Sequence, residues 1–448
     1  MRSVAIDIGT TSISAVVMDA ASEKILRSWT IPNPGFLETP HAWERVQSPD
    51  RIVSAAKDLL DSILSEEENV CAIGLTGQMH GIVYLDADGK AVSPLITWQD
   101  SRGNLPVAGG GSVCDQIAER FRLKAYSGYG LISHLYNVAE GLVPAGARTV
   151  ATIMDYFGMA ITGASAPVLH SSNAASLGLF DLASGSWRAD ILAAFGADPG
   201  ILPRVIDSFE TVGIYRGIPV SVAIGDNQAS FLGSVRNADE EILVNMGTGG
   251  QISLLAGRTL DAEEIETRPF NEKSYLVVGS SLCGGRAYAT LASFFAACAE
   301  AFDAPGRDPY RMMASLLAEA PKGDPLIVDT SFAGTREHPE KRGSVSGISY
   351  DNFTPAALTR GVLNGMAREL LTHYETMRKG LGISRSRIIA SGNGMRLNPA
   401  LQQTTEASFG MSLTLSSQTE EAACGAAVAG LSSIGLKSWK DTVGFRNK

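Results

Sequence analysis

The sequence predicts an α/β chain of two domains with mixed sheets, the second built on the plan of the first. Three observations lead there. Short apolar runs alternate with one clear amphipathic helix near the start. The same strand, turn and returning strand recur after residue 241. A polar stretch at 233–241 (GSVRNADEE) separates the two halves. Residues 3–8 (SVAIDI), 13–18 (ISAVVM) and 25–31 (ILRSWTI) read as successive strands, broken by GTTS and DAASEK. Ser48 to Leu64 is an amphipathic helix, with Ile52, Ala55, Ala56, Leu59, Leu60 and Ile63 on one face and Ser48-Pro49 as its start signal. Val70 to Leu75 (VCAIGL) is a continuous apolar run, as in a strand covered on both faces.

In the second half EILVNM (241–246) leads through GTGGQ to Ile252–Leu255, to a strand at Ser274–Gly279 and to a helix at 287–302. Gly9-Thr10 aligned on Gly247-Thr248 sets DIGTTSISAVV over NMGTGGQISLL, which suggests a duplication. The division expected is 1–236 and 237–448.

Composition narrows the function. With 45% hydrophobic and 19% charged residues the chain is a globular protein rather than a disordered one. The net charge of −10 argues against nucleic acid or an anionic membrane as the main partner. Five scattered cysteines form no C-x-x-C pair, so neither a disulfide framework nor a structural zinc is expected. The start, MRSVAIDIG, lacks the apolar core of a signal peptide, and no apolar run reaches bilayer length. A soluble protein in the cytoplasm is expected, and a homodimer is compatible with the sequence without being required by it.

Several short segments carry chemistry. Asp7 ends a buried strand and is followed by Gly9, Thr10, Thr11 and Ser12. Such a turn is either an ordinary hairpin or a cradle for a metal-bound phosphate, with glycine admitting the oxygens and hydroxyls donating to them. The second turn, Gly247-Thr248-Gly249-Gly250, favours the cradle, because two such loops would flank a polyphosphate. Neither is a Walker loop, and no G-x-G-x-x-G with a following acid is present. Asp226, in AIGDNQASFLG, sits between a strand and a helix start that would keep it ionised. It is either a helix cap or the base that accepts the proton of a reacting alcohol. GLTGQMHG places Gln78 and His80 on a glycine-flanked loop, and TWQDSR adds Trp98, Asp100 and Arg102, a mixture suited to sugar hydroxyls. His80 is equally readable as a loop histidine, and Asp100 with Arg102 as a mutual pair. ASGNGMRLN, following a strand, offers backbone and Asn393 and Asn398 to a nucleotide. EEAACGAAVAGLS is a helix whose Ala and Gly permit close packing, expected behind that turn.

In order and spacing, DIGTTS, GLTGQMHG, WQDSR, GDNQAS, NMGTGG, ASGNG and EEAACGAA resemble the FGGY carbohydrate kinases from end to end of the chain. GQMHG is similar to the xylulokinase and sedoheptulokinase branch. TWQDSR, SNAASLGLFD with GDNQAS, and SSLCGGRAYATLASFF are closer to sedoheptulokinase. The resemblance implies two actin-like, hexokinase-type (ribonuclease H-like) domains flanking a central ATP and sugar cleft. It implies ATP and Mg2+ as cofactors and a small ketose as substrate.

By the same resemblance Asp226 would be the general base and Asp7 would help hold magnesium. Gly9 to Ser12 and Gly247, Thr248 and Gly249 would grip phosphates, while Gln78, Met79, His80, Asp100 and Tyr129 line the sugar pocket. Gly392, Asn393, Gly394 and Asn398 would face the nucleotide. The family usually carries Lys or Arg where this chain has Ser14, so Arg286 or Arg336 is expected to compensate. D-sedoheptulose phosphorylation is the leading expectation and a xylulose or ribulose kinase the alternative. A non-catalytic sugar sensor rests only on Ser14, and a sugar-independent ATPase leaves GQMHG and TWQDSR unexplained.

Overall fold

The first strands form where the apolar runs predict them. In the computed structural model, which describes residues 1–446 apart from 304, 305, 307 and 319–322, β1 (Arg2–Ile8), β2 (Ser12–Asp19) and β3 (Ile25–Pro32) make an antiparallel meander. Helix α1 (Pro49–Glu66) is capped by the Ser48 hydroxyl, which accepts from the Arg51 N–H, and buries Ile52, Ala56, Leu60 and Ile63. The chain returns in β4 (Val70–Gly77), parallel to β1, as its unbroken apolar run requires. After the short helix α2 (Ser171–Ser176) come β5 (Thr211–Tyr215), β6 (Ile218–Ser221) and the two-residue β7 (Ile224–Gly225). The sheet runs β5-β6-β4-β1-β2-β3, with β7 paired to β4. Helix α3 (Asp226–Ser234) follows.

The second sheet repeats this plan. Strands β8 (Glu241–Met246), β9 (Gly250–Ala256), β10 (Ile265–Asn271) and β11 (Ser274–Ser281) precede helices α4 (Gly284–Ala301) and α5 (Pro355–Leu381). Then come β12 (Arg387–Ser391), α6 (Pro399–Phe409) and β13 (Ser412–Leu415), in the order β10-β11-β9-β8-β12-β13. Strand β8 is antiparallel to β9 and parallel to β12, as β1 is antiparallel to β2 and parallel to β4. The turns correspond too, Ile8 facing Ile13 in one hairpin and Met246 facing Gly250 in the other. That repeated topology supports the duplication read from the two Gly-Thr turns. Strand β10, absent from the sequence reading, is an addition at one edge.

The chain divides into two compact units, Met1–Gly233 with Arg268–Ser274 and Gln418–Val443, and Ser234–Thr267 with Tyr275–Ser417 and Gly444–Lys448. Helix α7 (Glu421–Ser433), which lies in the second half of the expected division at 236/237, clusters with the first unit. The expectation that it packs behind the ASGNG turn is corrected. Its small residues lie instead on β1, β4 and α3. A Cβ on Gly74 would stand 1.9 Å from the Ala426 carbonyl oxygen, and one on Gly425 1.8 Å from that of Ala229 in α3. The Ser3 hydroxyl donates to the Ala427 carbonyl at 2.9 Å. Backbones approach here as only glycine allows. We expect Gly425→Ala to cost about 3 kcal/mol, since rigid backbone on both sides must move. The readout is the urea midpoint; a midpoint equal to wild type would contradict this packing.

Candidate active site

Three of the segments singled out in the sequence emerge side by side from one sheet edge. Gly77 of β4 is in register with Ile8 of β1 on one side and with Gly225 of β7 on the other. The next residues are Gly9, Gln78 and Asp226. The carboxyl ends of adjacent parallel strands are where α/β folds bind ligands, because loops leave there together.

The Gly9–Ser12 turn is braced from inside. Asn33 Nδ2 donates to the Gly9 carbonyl at 2.8 Å, Gln47 Nε2 to that of Thr10 at 2.8 Å, and the Asn33 N–H to that of Thr11 at 2.9 Å. With these acceptors satisfied, the turn offers mainly N–H and hydroxyl donors, the set an anion requires. Gln78, 4% exposed, does not project as a simple sugar ligand. Its amide donates to Gln47 Oε1 at 2.8 Å and accepts from the Thr10 hydroxyl at 3.4 Å, tying its loop to the phosphate turn. Trp98, expected as a stacking platform, sends its indole N–H to the Thr10 hydroxyl at 3.0 Å. Ser14 is buried and shares a hydrogen bond of 3.1 Å with Thr30, so no cation enters from that position.

Three carboxylates meet electrostatically beside this turn. Burial pushes Asp7 up from 3.8 to about 7, and repulsion from Asp226 and Glu420 adds to the rise. Asp226 is raised as well, again first by burial. The Arg268 guanidinium and the Asn227 amide, which donates to Asp226 Oδ1 at 2.9 Å, oppose that rise without cancelling it. Desolvation thus outweighs the neighbouring donors in setting the direction of the shift. Among the described residues no three His, Cys, Asp or Glu side chains could by themselves hold a metal ion. Mutually repelling buried carboxylates beside an anion-binding turn do fit a hard cation that takes its other ligands from phosphate and water.

On the other side of β4 lies a second group. His80 adopts a positive φ of 74°, rare for a residue with a Cβ and a common mark of a functional position. Ser176 holds it there: its hydroxyl accepts from the His80 N–H at 3.2 Å, and its carbonyl from Nδ1 at 2.7 Å. A carbonyl only accepts, so Nδ1 carries a proton. Tyr129 stacks on the imidazole, centroids 4.7 Å apart and planes 4° from parallel, so the structure brings together two residues far apart in sequence. Met79 packs against the turn that precedes Asp226: a Cβ on Gly225 would meet its Cε at 2.6 Å. Asp100 is a correction. It is 1% exposed, and Arg102 grips both its oxygens, Nε to Oδ1 at 2.8 Å and Nη2 to Oδ2 at 2.9 Å. The Arg102 and Arg45 backbone N–H groups complete the shell at 3.0 Å each. A carboxylate with its lone pairs thus occupied braces the Trp98 loop and is no sugar ligand.

The second unit holds a cavity of about 1020 Å³ lined by Gly247, Thr248, Asn393, Gly394 and Asn398, with Arg286, Tyr288, Tyr310 and Leu397. Gly392, at φ 82°, lies against the end of β8, where a Cβ would stand 2.6 Å from the Met246 carbonyl oxygen. Gly249 is similarly tight against Ser281. These two glycines shape the walls, while Asn393, Gly394 and Asn398 face the space. Asn398 also caps α6, accepting from the Leu401 N–H at 3.1 Å. Of the two cations considered, Arg336 pairs with Glu266 and Arg286 lines this cavity beside Thr248. Sequence reasoning missed Arg268, Glu420 and Tyr288. Glu420 opens the quoted EEAACGAA, but only the fold reveals that this segment returns to β1.

Two α/β units with repeated mixed sheets, one bringing Gly9, Gln78 and Asp226 to one sheet edge and the other holding a cavity of about 1020 Å³, are the frame on which the comparisons with known proteins bear. The chain belongs to the FGGY family of carbohydrate kinases, residues 3–233 matching the family's N-terminal domain and residues 242–434 its C-terminal domain. It is 27% identical over 470 residues to the sedoheptulokinase of Mus musculus, covering 94% of this chain and 96% of that protein. The corresponding protein of Homo sapiens is 25% identical over similar coverage. A xylulose kinase of Lactococcus lactis is 24% identical, covering 89% of this chain and 81% of that one. In fold it matches a "xyloylose kinase" from Brucella ovis with a TM-score of 0.83 and 21% identity, over 99% of this chain and 92% of that chain.

Proposed function

We propose that the protein transfers the γ-phosphoryl group of ATP to the terminal hydroxyl of a ketose, D-sedoheptulose giving the 7-phosphate. The observation that carries this reading is the shared register of Ile8, Gly77 and Gly225, which sets the phosphate turn, the sugar loop and Asp226 on one edge. Similarity to two sedoheptulokinases over nearly the whole of each chain supports the choice of sugar. The xylulose kinase relative and fold neighbours make a pentulose the second reading.

Asp226 takes the proton of the attacking hydroxyl as the oxygen bonds to phosphorus and ADP departs. A carboxyl raised by burial is the stronger base for that task near neutral pH. His80 meets a sugar hydroxyl, with Tyr129 behind the ring and Met79 closing the apolar side. In the first unit Gly9 to Ser12 bind phosphate; in the second the nucleoside lies in the cavity by Tyr288, Asn393 and Gly394, with Gly247 to Gly249 turned to its phosphates. Arg286 supplies the positive charge that Ser14 lacks. Asp7 would hold Mg2+, which would supply charge neutralisation on the polyphosphate. We place the activity in the cytoplasm; among the described residues no helix is long and apolar enough to cross a membrane.

Coupled ADP detection across sedoheptulose, xylulose, ribulose, fructose and psicose tests this. We expect kcat/KM for sedoheptulose to exceed that for xylulose by at least about tenfold, a difference of about 1.4 kcal/mol in transition-state binding. Preference for a pentulose would move the assignment to the second reading. ADP formation independent of any sugar would overturn both.

A further inference from the structure

Helix α2 touches both halves of the site. At one end, the Ser172 hydroxyl accepts from the Gly225 N–H at 3.1 Å, and Asn173 Nδ2 donates to the Ala223 carbonyl at 3.0 Å. Those two groups belong to the turn that presents Asp226. At the other end, Ser176 takes the backbone and Nδ1 hydrogens of His80, as described above. Its own hydroxyl proton goes back to the Asn173 carbonyl at 2.8 Å, so every polar group of Ser176 in this link has a defined direction.

The first end has a fixed polarity as well. The Ser172 backbone N–H donates to His170 Nδ1 at 3.2 Å, so that nitrogen carries no hydrogen, and the Ser172 hydroxyl that accepts from the Gly225 N–H gives its own proton to it at 2.8 Å. His170 must then carry its hydrogen on Nε2, pointing to Asn271 Oδ1 at 3.3 Å. His170, Ser172 and Asn173 are all at most 1% exposed, so water does not compete for these bonds. Ser172 and Ser176 are four residues apart, about 6 Å along the helix axis.

We propose that α2 is a rigid spacer between His80 and Asp226, in which Ser172 and Ser176 are positioning residues that set where along a ketose the terminal hydroxyl meets the base. The inference rests on the ketose kinase reading and adds to it the element that selects chain length. A sugar held at His80 reaches Asp226 only if its length matches the span, so loosening either attachment changes a different kinetic constant. Ser172 governs the aim of the base, and Ser176 governs the grip on the sugar.

Ser172→Ala is expected to lower kcat about tenfold with both KM values unchanged, as for loss of one buried hydrogen bond felt in the transition state. Ser172→Thr, which keeps the hydroxyl, should recover most of that loss. Ser176→Ala is expected to raise the ketose KM about tenfold, leave the ATP KM alone and shrink the preference between heptulose and pentulose. A lower melting temperature with unchanged kinetic constants for both variants would overturn the proposal, since that is what a purely structural helix gives. A second readout needs no turnover. Amide hydrogen exchange at His80 and at Gly225 should quicken together in either variant, because the spacer couples them. Quickening confined to the nearer amide would overturn the proposal. Absence of ketose-dependent turnover in the wild type would instead fault the assigned reaction, with the exchange test still deciding the spacer.

Discussion

Asp226→Asn is expected to lower ketose-dependent ADP formation by about a thousandfold, within the range for losing a positioned general base. Nucleotide affinity should be unchanged, because the proposed nucleoside cavity lies in the second unit. The isosteric amide keeps the packing of α3 against α7, so the circular dichroism spectrum and melting temperature should stay close to wild type. The pH profile gives the sharper check. A base works ionised, and the folded pKa of Asp226 is raised above 3.8. The rate should therefore climb with pH through a limb lying above the ordinary carboxylate range and level off once the group is ionised. Arg268 opposes the rise, so Arg268→Met should move that limb to higher pH. Turnover by Asp226→Asn at the wild-type rate would exclude the residue as the base.

Asp7→Asn is expected to reduce kcat by at least about a hundredfold, through loss of charge stabilisation at the phosphates, while making the ligand-free protein more stable. The sign follows from linkage. Asp7 titrates at about 7 in the folded chain against an ordinary 3.8. Below about pH 4 both states hold the proton and stability is unaffected. Between about 4 and 7 the unfolded chain loses its proton while the folded one keeps it, so stability falls as pH rises. Above 7 the whole penalty is present. Asparagine carries none of it. The gain in melting temperature of Asp7→Asn should thus be near zero at pH 4 and about 3 °C or more at pH 8. Addition of MgATP should reverse the order, since wild type alone retains the carboxylate that the cation needs. A variant less stable than wild type at pH 8 without ligand would show that burial and the repulsion from Asp226 and Glu420 do not raise Asp7.

Strand ends and loops were readable in the sequence because local chemistry decides them. Ser48-Pro49 starts α1, VCAIGL makes a strand covered on both faces, and the Gly-Thr turns join hairpins with matching partners. The identities of Asp7, His80 and Asp226 as polar groups at strand ends were legible for the same reason. What failed required distant neighbours. Asp100 and Arg102 read as either a sugar contact or a pair, and only tertiary structure shows four donors around one carboxylate. The burial that lifts Asp226 was not legible, because a helix start is visible locally and desolvation is not. The destination of α7 was misjudged because alanine and glycine announce close approach without naming the partner. Ser172 and Ser176 drew no attention individually, since a serine's role depends on which backbone groups lie within reach of its hydroxyl.

That returning helix constrains the order in which the molecule can be completed during synthesis. Strands β1 and β4 are made among the first 77 residues, yet the Ala-Gly surface that covers them, residues 421–433, emerges from the ribosome more than 300 residues later. Until then one apolar side of the leading sheet stays open to water, and α3 lacks the neighbour its glycine contact presupposes. The nascent chain therefore carries an exposed sticky face for most of its translation, a period in which holding chaperones would have their substrate.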